Sequence, residues 1–206
     1  MAIITLPVDL KISRQMWGQK RYDVRFQNSD TGAGQSRILA PPRWTTNIVS
    51  PQAMQLAPSA AWRSMVLDLK GQINQLAVHN INTPAPAGTL RGSLTLTAAA
   101  AQYASSFTLI GGAGQAFKTL LRGDWLGLGA GSQSQLVTVA ADAIADASGV
   151  MTVSIAQPLR YTQASGSTVI WDKPTALFRV TSDSSQWESQ PLYQGGYSLD
   201  LMESWE

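Results

Sequence analysis

From Asp124 the chain reads Asp124-Trp125-Leu126-Gly127-Leu128, then Gln135-Leu136-Val137-Thr138-Val139, Met151-Thr152-Val153-Ser154-Ile155 and Thr168-Val169-Ile170-Trp171. Each run is short and rich in β-branched or aromatic residues, and Gly, Asp, Ser or Pro separates it from the next. That is the rhythm of strands joined by tight turns. Asp146-Ala147-Ser148-Gly149 is a turn by its own chemistry, because Asp bonds its backbone two residues on and Gly tolerates positive φ. The spacing predicts a small antiparallel barrel or meander.

Upstream of this block, Leu94-Thr95-Leu96-Thr97 alternates as a strand does, and the stretch from Ser93 to Tyr103 is read as strand despite the helix-favouring run Ala98 to Ala101. Phe107 to Ile110 is a short apolar run, and Gly111-Gly112-Ala113-Gly114 a flexible turn. A stiff connector, Asn82-Thr83-Pro84-Ala85-Pro86-Ala87-Gly88, precedes the block, and Pro174 marks its end. The flanks have a different texture. Tyr22 to Gln27 alternates and runs into the turn residues Asn28-Ser29-Asp30-Thr31-Gly32; Trp44 to Val49 follows the extended entry that Pro41-Pro42 imposes. Trp62, Met65, Val66 and Leu69 fall at helical spacing, with Ser59 as N-cap and Gly71 as left-handed terminator, so a helix is expected over 59–71. Ile73 to Val78 gives a short strand, and Ala176 to Val180 and Tyr197 to Glu203 return to strand patterns. The fold class is therefore mainly β: a β-sandwich with one α-helix, built from 1–90 and 174–206, with a small antiparallel β-barrel, 91–173, inserted into it.

With 206 residues, the chain is about 1.4 domain equivalents at about 150 residues each. Hydrophobic residues make up 44% and the mean hydropathy is −0.04, without an apolar run of the roughly 18–20 residues a membrane helix needs, so membrane insertion is not expected. The opening residues contain no basic stretch leading into an apolar segment, and export by a signal peptide is not expected. Charged residues are only 14%, against about 25% in an average globular chain, which suits a subunit that buries much of its surface against neighbours. The net charge is +2 with no basic run, which argues against a dedicated nucleic-acid surface.

Cysteine is absent and His79 is the sole histidine, which removes thiol chemistry, iron–sulfur clusters and almost every zinc site. No Gly-x-Ser-x-Gly elbow exists. Gly32-Ala33-Gly34-Gln35 and Gly111-Gly112-Ala113-Gly114 lack the Lys-Ser/Thr or the Gly spacing of phosphate loops and read as turns. Several of the 13 carboxylates sit beside turn residues, and the sequence places no two at catalytic separation. No enzyme activity, cofactor or metal is expected. Of seven tryptophans, Trp44, Trp62 and Trp125 lie in strong strand or helix patterns and read as core. Trp17, Trp187 and Trp205 lie in polar surroundings and are the candidates for subunit interfaces or glycan contact.

Taken in order, several strings resemble tail proteins of long-tailed bacteriophages. They are Ser29-Asp30-Thr31-Gly32-Ala33-Gly34-Gln35 leading to Pro42-Arg43-Trp44, the Trp62 helix running into Leu69-Lys70-Gly71-Gln72-Ile73-Asn74, and Pro86-Ala87-Gly88-Thr89-Leu90-Arg91-Gly92. In the second half they are Leu121-Arg122-Gly123-Asp124-Trp125-Leu126-Gly127-Leu128, Leu136 to Val139, Ala141-Asp142-Ala143, Asp146 to Gly149, and Pro158-Leu159-Arg160 followed by Phe178-Arg179. The chain from about residue 20 to 206 is thereby similar to the distal tail (Dit-like) family. The resemblance implies a β-sandwich with a further barrel that forms a hexameric ring between tail tube and tail tip, made in the host cytoplasm and located in the virion. The partners it implies are further copies of the chain, the tail tube protein, the tail-tip hub and the tape-measure protein, with no catalytic residues. The alternative is a carbohydrate-binding tail accessory protein that contacts host glycans.

Overall fold

A computed structural model describes residues 1–205. In chain order the elements are β1 (Ile3–Thr5), β2 (Arg14–Gln27), β3 (Gly34–Val49), α1 (Leu56–Asp68), β4 (Gln75–Val78), β5 (Leu94–Leu96), β6 (Ser106–Gly111), β7 (Thr119–Leu120), β8 (Trp125–Leu128), β9 (Gln135–Thr138), β10 (Ala143–Ile144), β11 (Val150–Ser154), β12 (Thr168–Ile170), β13 (Ala176–Val180), β14 (Glu188–Gln190), β15 (Tyr193–Gly195) and β16 (Ser198–Glu203). The protein is mainly β with one helix, as its patterning predicts.

The central block curls into a six-stranded sheet ordered β11-β6-β5-β12-β8-β9. Its two ends meet just beyond the named strands: Val139 bridges Ile155, Ala140 N–H donates to Ser154 O at 2.8 Å, and Ala156 N–H donates to Thr138 O at 2.9 Å. Closing the sheet on itself leaves few free strand edges, and the inward residues of alternating strands fill the interior. Leu94, Leu109, Leu126, Leu128, Val137, Val153 and Val169 are all buried there. The tetra-alanine run does not continue β5; only Ala100 makes a bridge, to Gln163. Alanine offers a strand face little to bury, so the pairing stops where the leucines do.

Residues from both ends of the chain build the second unit, a six-stranded sheet ordered β1-β4-β13-β16-β3-β2. Its register places Trp17, Trp44, Ile48, Leu76, Phe178, Leu199 and Leu201 on one face, and helix α1 covers part of it with Trp62, Met65, Val66 and Leu69. The helix begins earlier than its cap residues suggest. Gln55, not Ser59, is the N-cap and offers no side-chain hydrogen bond. Pro58 lies inside the first turn, where its missing N–H would have had no partner anyway. Ser59 is buried instead, donating to Gln194 Oε1 at 3.0 Å. The helix ends at Asp68 with Leu69 as C-cap, and the left-handed step that follows starts at Lys70 (φ +49°), one residue before Gly71 (φ +65°). The opposite face, with Met16, Thr45, Asn47, Ser198, Asp200 and Thr181, has no covering layer.

Two features of this sheet escape the pattern reading. β1 and the first half of β2 lie in the opening twenty residues, which carry no strand signature of their own. β3 runs through Pro41-Pro42 instead of starting after them. Prolines donate no backbone hydrogen bond, and the β2–β3 ladder slips opposite them, passing from the Lys20–Arg43 pair to Tyr22–Ala40 and Asp23–Ile38.

Candidate functional site

The slip divides the β2–β3 hairpin into two halves. Up to Lys20 and from Arg43 onward the strands belong to the sheet, with Trp44, Thr46 and Ile48 buried. Beyond it the ribbon leaves the body: Asp23 and Arg25 to Leu39 are exposed, and β16 pairs only with Thr45 to Val49. Pairing of Val24 with Arg37 and of Phe26 with Gln35 puts Val24, Phe26 and, by alternation, Leu39 on one side; Ile38 lies on the other. Phe26 is 65% exposed, Ile38 64% and Leu39 63%. A two-stranded hairpin is marginal by itself in water, so an apolar ribbon of this kind awaits a covering surface. Its charged residues are Arg21, Arg25 and Arg37 against Asp23 and Asp30.

At the opposite edge of the sheet, beside β1, the segment from Thr5 to Ile12 forms an open groove of about 400 Å³ together with Ala77, His79, Ile81, Lys173 and Thr175. His79 is half-buried, and its pKa is held below the ordinary histidine value by burial first and Lys173 second, with Asp172 opposing both. Its backbone carbonyl accepts from Gln15 Nε2 at 3.0 Å, and Gln15 Oε1 accepts from Ile81 N–H at 2.9 Å, so the sheet grips the start of the connector.

The barrel meets the covered face of the sheet next to the helix. Trp125 of β8 packs between Trp17 (ring centroids 5.1 Å) and Trp44 (4.9 Å), with Trp17 edge-on to Phe178 at 5.7 Å. Trp44 Nε1–H donates to Leu136 O at 2.8 Å. Beside this cluster lies a buried ion pair, Arg160 Nη1 to Glu203 Oε1 at 2.9 Å, which joins barrel to sheet. Glu203 also accepts from Trp44 N–H at 3.0 Å, and the Arg160 guanidinium donates to Ser134 O at 3.0 Å. Burial raises the Glu203 pKa above its ordinary value; Arg160 and the Trp44 amide pull it back only in part.

The connector itself is clamped. The buried Asp124 carboxylate accepts from three backbone amides, Ala87 at 2.7 Å, Gly88 at 3.1 Å and Leu121 at 2.7 Å. Arg91 donates to the carbonyls of Pro86, Gly88 and Leu90 and lies 5.1 Å from the Trp171 ring centroid. The returning strand is tied in by Lys173 N–H to Pro84 O at 2.6 Å.

These contacts place the three candidate tryptophans. Trp17 belongs to the aromatic junction, half-buried against Trp44, Trp125 and Phe178. Trp187 stacks on Tyr197 at 5.7 Å, which in turn stacks on Trp62 of the helix. Trp205 lies under Arg43 at 4.1 Å and near Arg160 at 5.2 Å. The structure does not bring the three together. The sequence reading missed the roles of Arg160, Glu203, Arg91 and Asp124; Arg160 and Glu203 carry no local signal because their pair spans 43 positions, whereas Arg91 binds carbonyls one to five residues away and Asp124 joins the nearby Leu121 amide to the distant Ala87 and Gly88.

Other carboxylates serve the backbone too: Asp146 accepts from Ser148 and Val150 amides, and Asp142 from Arg122. Among the described residues, no group of three or more His, Cys, Asp or Glu is placed to hold a metal ion, and no helix is long and apolar enough to cross a membrane. No family model matches the chain, and no curated protein matches it.

Proposed function

We propose that this chain is a structural subunit of the tail of a long-tailed bacteriophage, a distal tail protein that assembles into a ring, with six copies expected, between the tail tube and the tail tip. The observation that carries the reading is the exposed, amphipathic half of the β2–β3 ribbon, which has no covering layer among the described residues. An apolar ribbon in water is an unfinished interface. The low content of charged residues fits a subunit with much of its surface in contacts. The barrel, held rigidly by the aromatic junction and the clamped connector, supplies a platform for neighbours at the tip. On this reading the chain is a scaffold in the virion and catalyses nothing.

The test is negative-stain microscopy with mass measurement on the purified protein at high concentration. Closed rings near six-fold symmetry are expected; a strictly monomeric protein across the concentration range counts against self-assembly.

A second reading, glycan contact by the barrel, draws on Tyr103 and Phe117. Both are exposed on barrel loops in left-handed conformations, at φ +66° and +59°, that side chains of this size rarely adopt. Quenching of intrinsic fluorescence by host glycans, lost in Tyr103→Ala, is the result that favours it.

A further inference from the structure

Helix α1 leaves one face of its sheet uncovered, and that face carries a groove of about 300 Å³ beside Trp205. The register assembles it. Lys20 pairs with Arg43, Thr45 with Met202, and Met202 with Arg179, so alternation puts Lys20, Arg43, Met202 and Arg179 on this one face. Arg43 and Trp205 stand at one end of the groove. Gln72 and Thr181 stand at the other, where Gln72 Nε2 donates to Thr181 O at 3.0 Å and Thr181 N–H donates to Asp200 O at 2.9 Å.

The cations at the Trp205 end are held by rings and not by carboxylates. The Arg43 guanidinium lies 4.1 Å from the Trp205 ring centroid and 5.8 Å from that of Tyr22, and Lys20 Nζ lies 5.6 Å from the Tyr22 centroid. Among the described residues neither Arg43 nor Lys20 forms an ion pair, and Arg43 Nε is buried without an acceptor. A buried donor left unpaired is costly. The neighbouring carboxylates are engaged elsewhere, Glu203 by Arg160 and the Trp44 amide, and Asp200 by Asn47 Nδ2 at 2.8 Å. Stacking on a ring fixes the plane of a guanidinium and leaves its in-plane N–H groups for a planar acceptor such as a carboxylate.

We propose that this groove is the docking site for an acidic segment of a partner protein, whose carboxylate is held by Arg43 and Lys20 while an adjoining apolar side chain lies against Met202. The charge pattern favours a peptide over a nucleic-acid strand. Phosphates repeat along a whole backbone, whereas the groove passes from Arg43 to the uncharged Gln72 and Thr181, with Asp200 on the same face beside them. The rings of Tyr22 and Trp205 are engaged by Lys20, Arg43 and Arg160, so they are not the open platforms on which bases stack. The inference does not depend on ring assembly, since a single copy carries the whole groove.

The experiment titrates the full chain, labelled with nitrogen-15, with a capped octapeptide alternating glutamate and leucine. The Arg43 Nε–H resonance, assigned by its absence in Arg43→Lys, should shift and saturate. The same peptide with glutamine for glutamate should leave it in place. Arg43→Lys keeps the charge but loses the fork, and should weaken binding roughly ten- to hundredfold, the worth of one charged hydrogen bond. Lys20→Gln, at an exposed position, should weaken it less and leave the melt unchanged. An Arg43 resonance that stays still at saturating acidic peptide overturns the site, as does an equal shift with the glutamine peptide. Undiminished binding in Arg43→Lys with an unchanged melt assigns the peptide to another surface, and a short oligothymidylate that displaces the peptide and binds more tightly overturns the choice of a protein partner.

Discussion

The barrel and the distal ribbon are made from the same material, short β segments with alternating apolar residues, yet they end in opposite environments. In the barrel, Leu109, Leu126 and Val153 reach a closed interior. In the ribbon, Val24, Phe26 and Leu39 alternate just as regularly, and Phe26 and Leu39 are largely exposed. Alternation states that one side of a strand is apolar; it does not state whose core that side belongs to. The barrel's apolar sides are matched within its own chain, and the ribbon's are matched only when another molecule is present. Substitutions should therefore separate the two regions by what they disturb, intramolecular stability in one and association in the other.

The largest effect is expected where the barrel is joined to the sheet. Arg160→Met leaves the buried Glu203 carboxylate without its partner, and breaking such a pair costs about 3–5 kcal/mol. The double variant Arg160→Met with Glu203→Gln removes both charges and keeps an acceptor for the Trp44 amide, so it should regain most of that loss in a denaturant melt. A double variant as unstable as the single would show that the pair's charges are not the reason. The same contacts bear on excision of residues 91–173. Such a deletion uncovers Trp17, Trp44 and Phe178 and orphans Glu203, so a remnant should melt cooperatively only when Glu203 is also neutralised.

Next comes the barrel interior. Leu126→Ala at a fully buried position should cost about 2–5 kcal/mol, read as a lowered melting temperature, with assembly retained below that temperature. Asp124→Asn is smaller. An amide replaces one acceptor oxygen with a donor that faces a backbone N–H, and leaving a buried donor unsatisfied costs about 1–3 kcal/mol. Its signature is specific: faster hydrogen exchange at Ala87, Gly88 and Leu121 before the strand amides of the barrel exchange.

This ordering follows what the sequence made legible. Short runs with Gly, Asp and Pro between them were enough to place the barrel strands, because each strand buries one side and its turns are local chemistry. The helix stripe was legible for the same reason, from Trp62 to Leu69. The helix start was not, because Ser59 is used by tertiary contacts with Gln194 and Tyr197 instead of by the cap. β4 reads poorly as alternation since all four of its residues are buried. The ribbon was legible only in part: Tyr22 to Gln27 was read as a strand and Asn28 to Gly32 as its turn, but nothing in those residues says that the hairpin leaves the body. The junction was invisible, because Arg160 and Glu203 lie 43 positions apart and meet only in the tertiary fold.

A smaller effect is expected from His79 in the groove. Its folded-state pKa lies below the unfolded value of 6.5, so the unfolded chain binds this proton more readily. The stability it contributes is present above the unfolded value and is lost as pH falls through it toward the folded value. Glu203 runs the other way at lower pH, its raised carboxyl favouring the folded state as pH falls from the raised value toward 4.5. The difference between wild type and His79→Gln isolates the histidine. The variant's melting temperature should fall less than the wild type's between about pH 7 and about pH 5. Parallel curves would mean that His79 is as free to protonate in the fold as out of it.

The smallest effect on stability should come from the residue with the largest effect on association. Phe26→Ser removes an aromatic ring that touches little in its own chain, and exposed substitutions of this kind change folding stability by less than about 0.5 kcal/mol. The melting curve of the dilute protein should be nearly that of the wild type. At high concentration, where wild type is expected to form rings, Phe26→Ser should sediment mainly as monomer. Had the ring been part of the folding core, the two measurements would move together, whereas Leu126→Ala should lower the melt and keep assembly. An unchanged melt with lost assembly is therefore the pattern that distinguishes a surface made for another copy from one made for the chain's own interior.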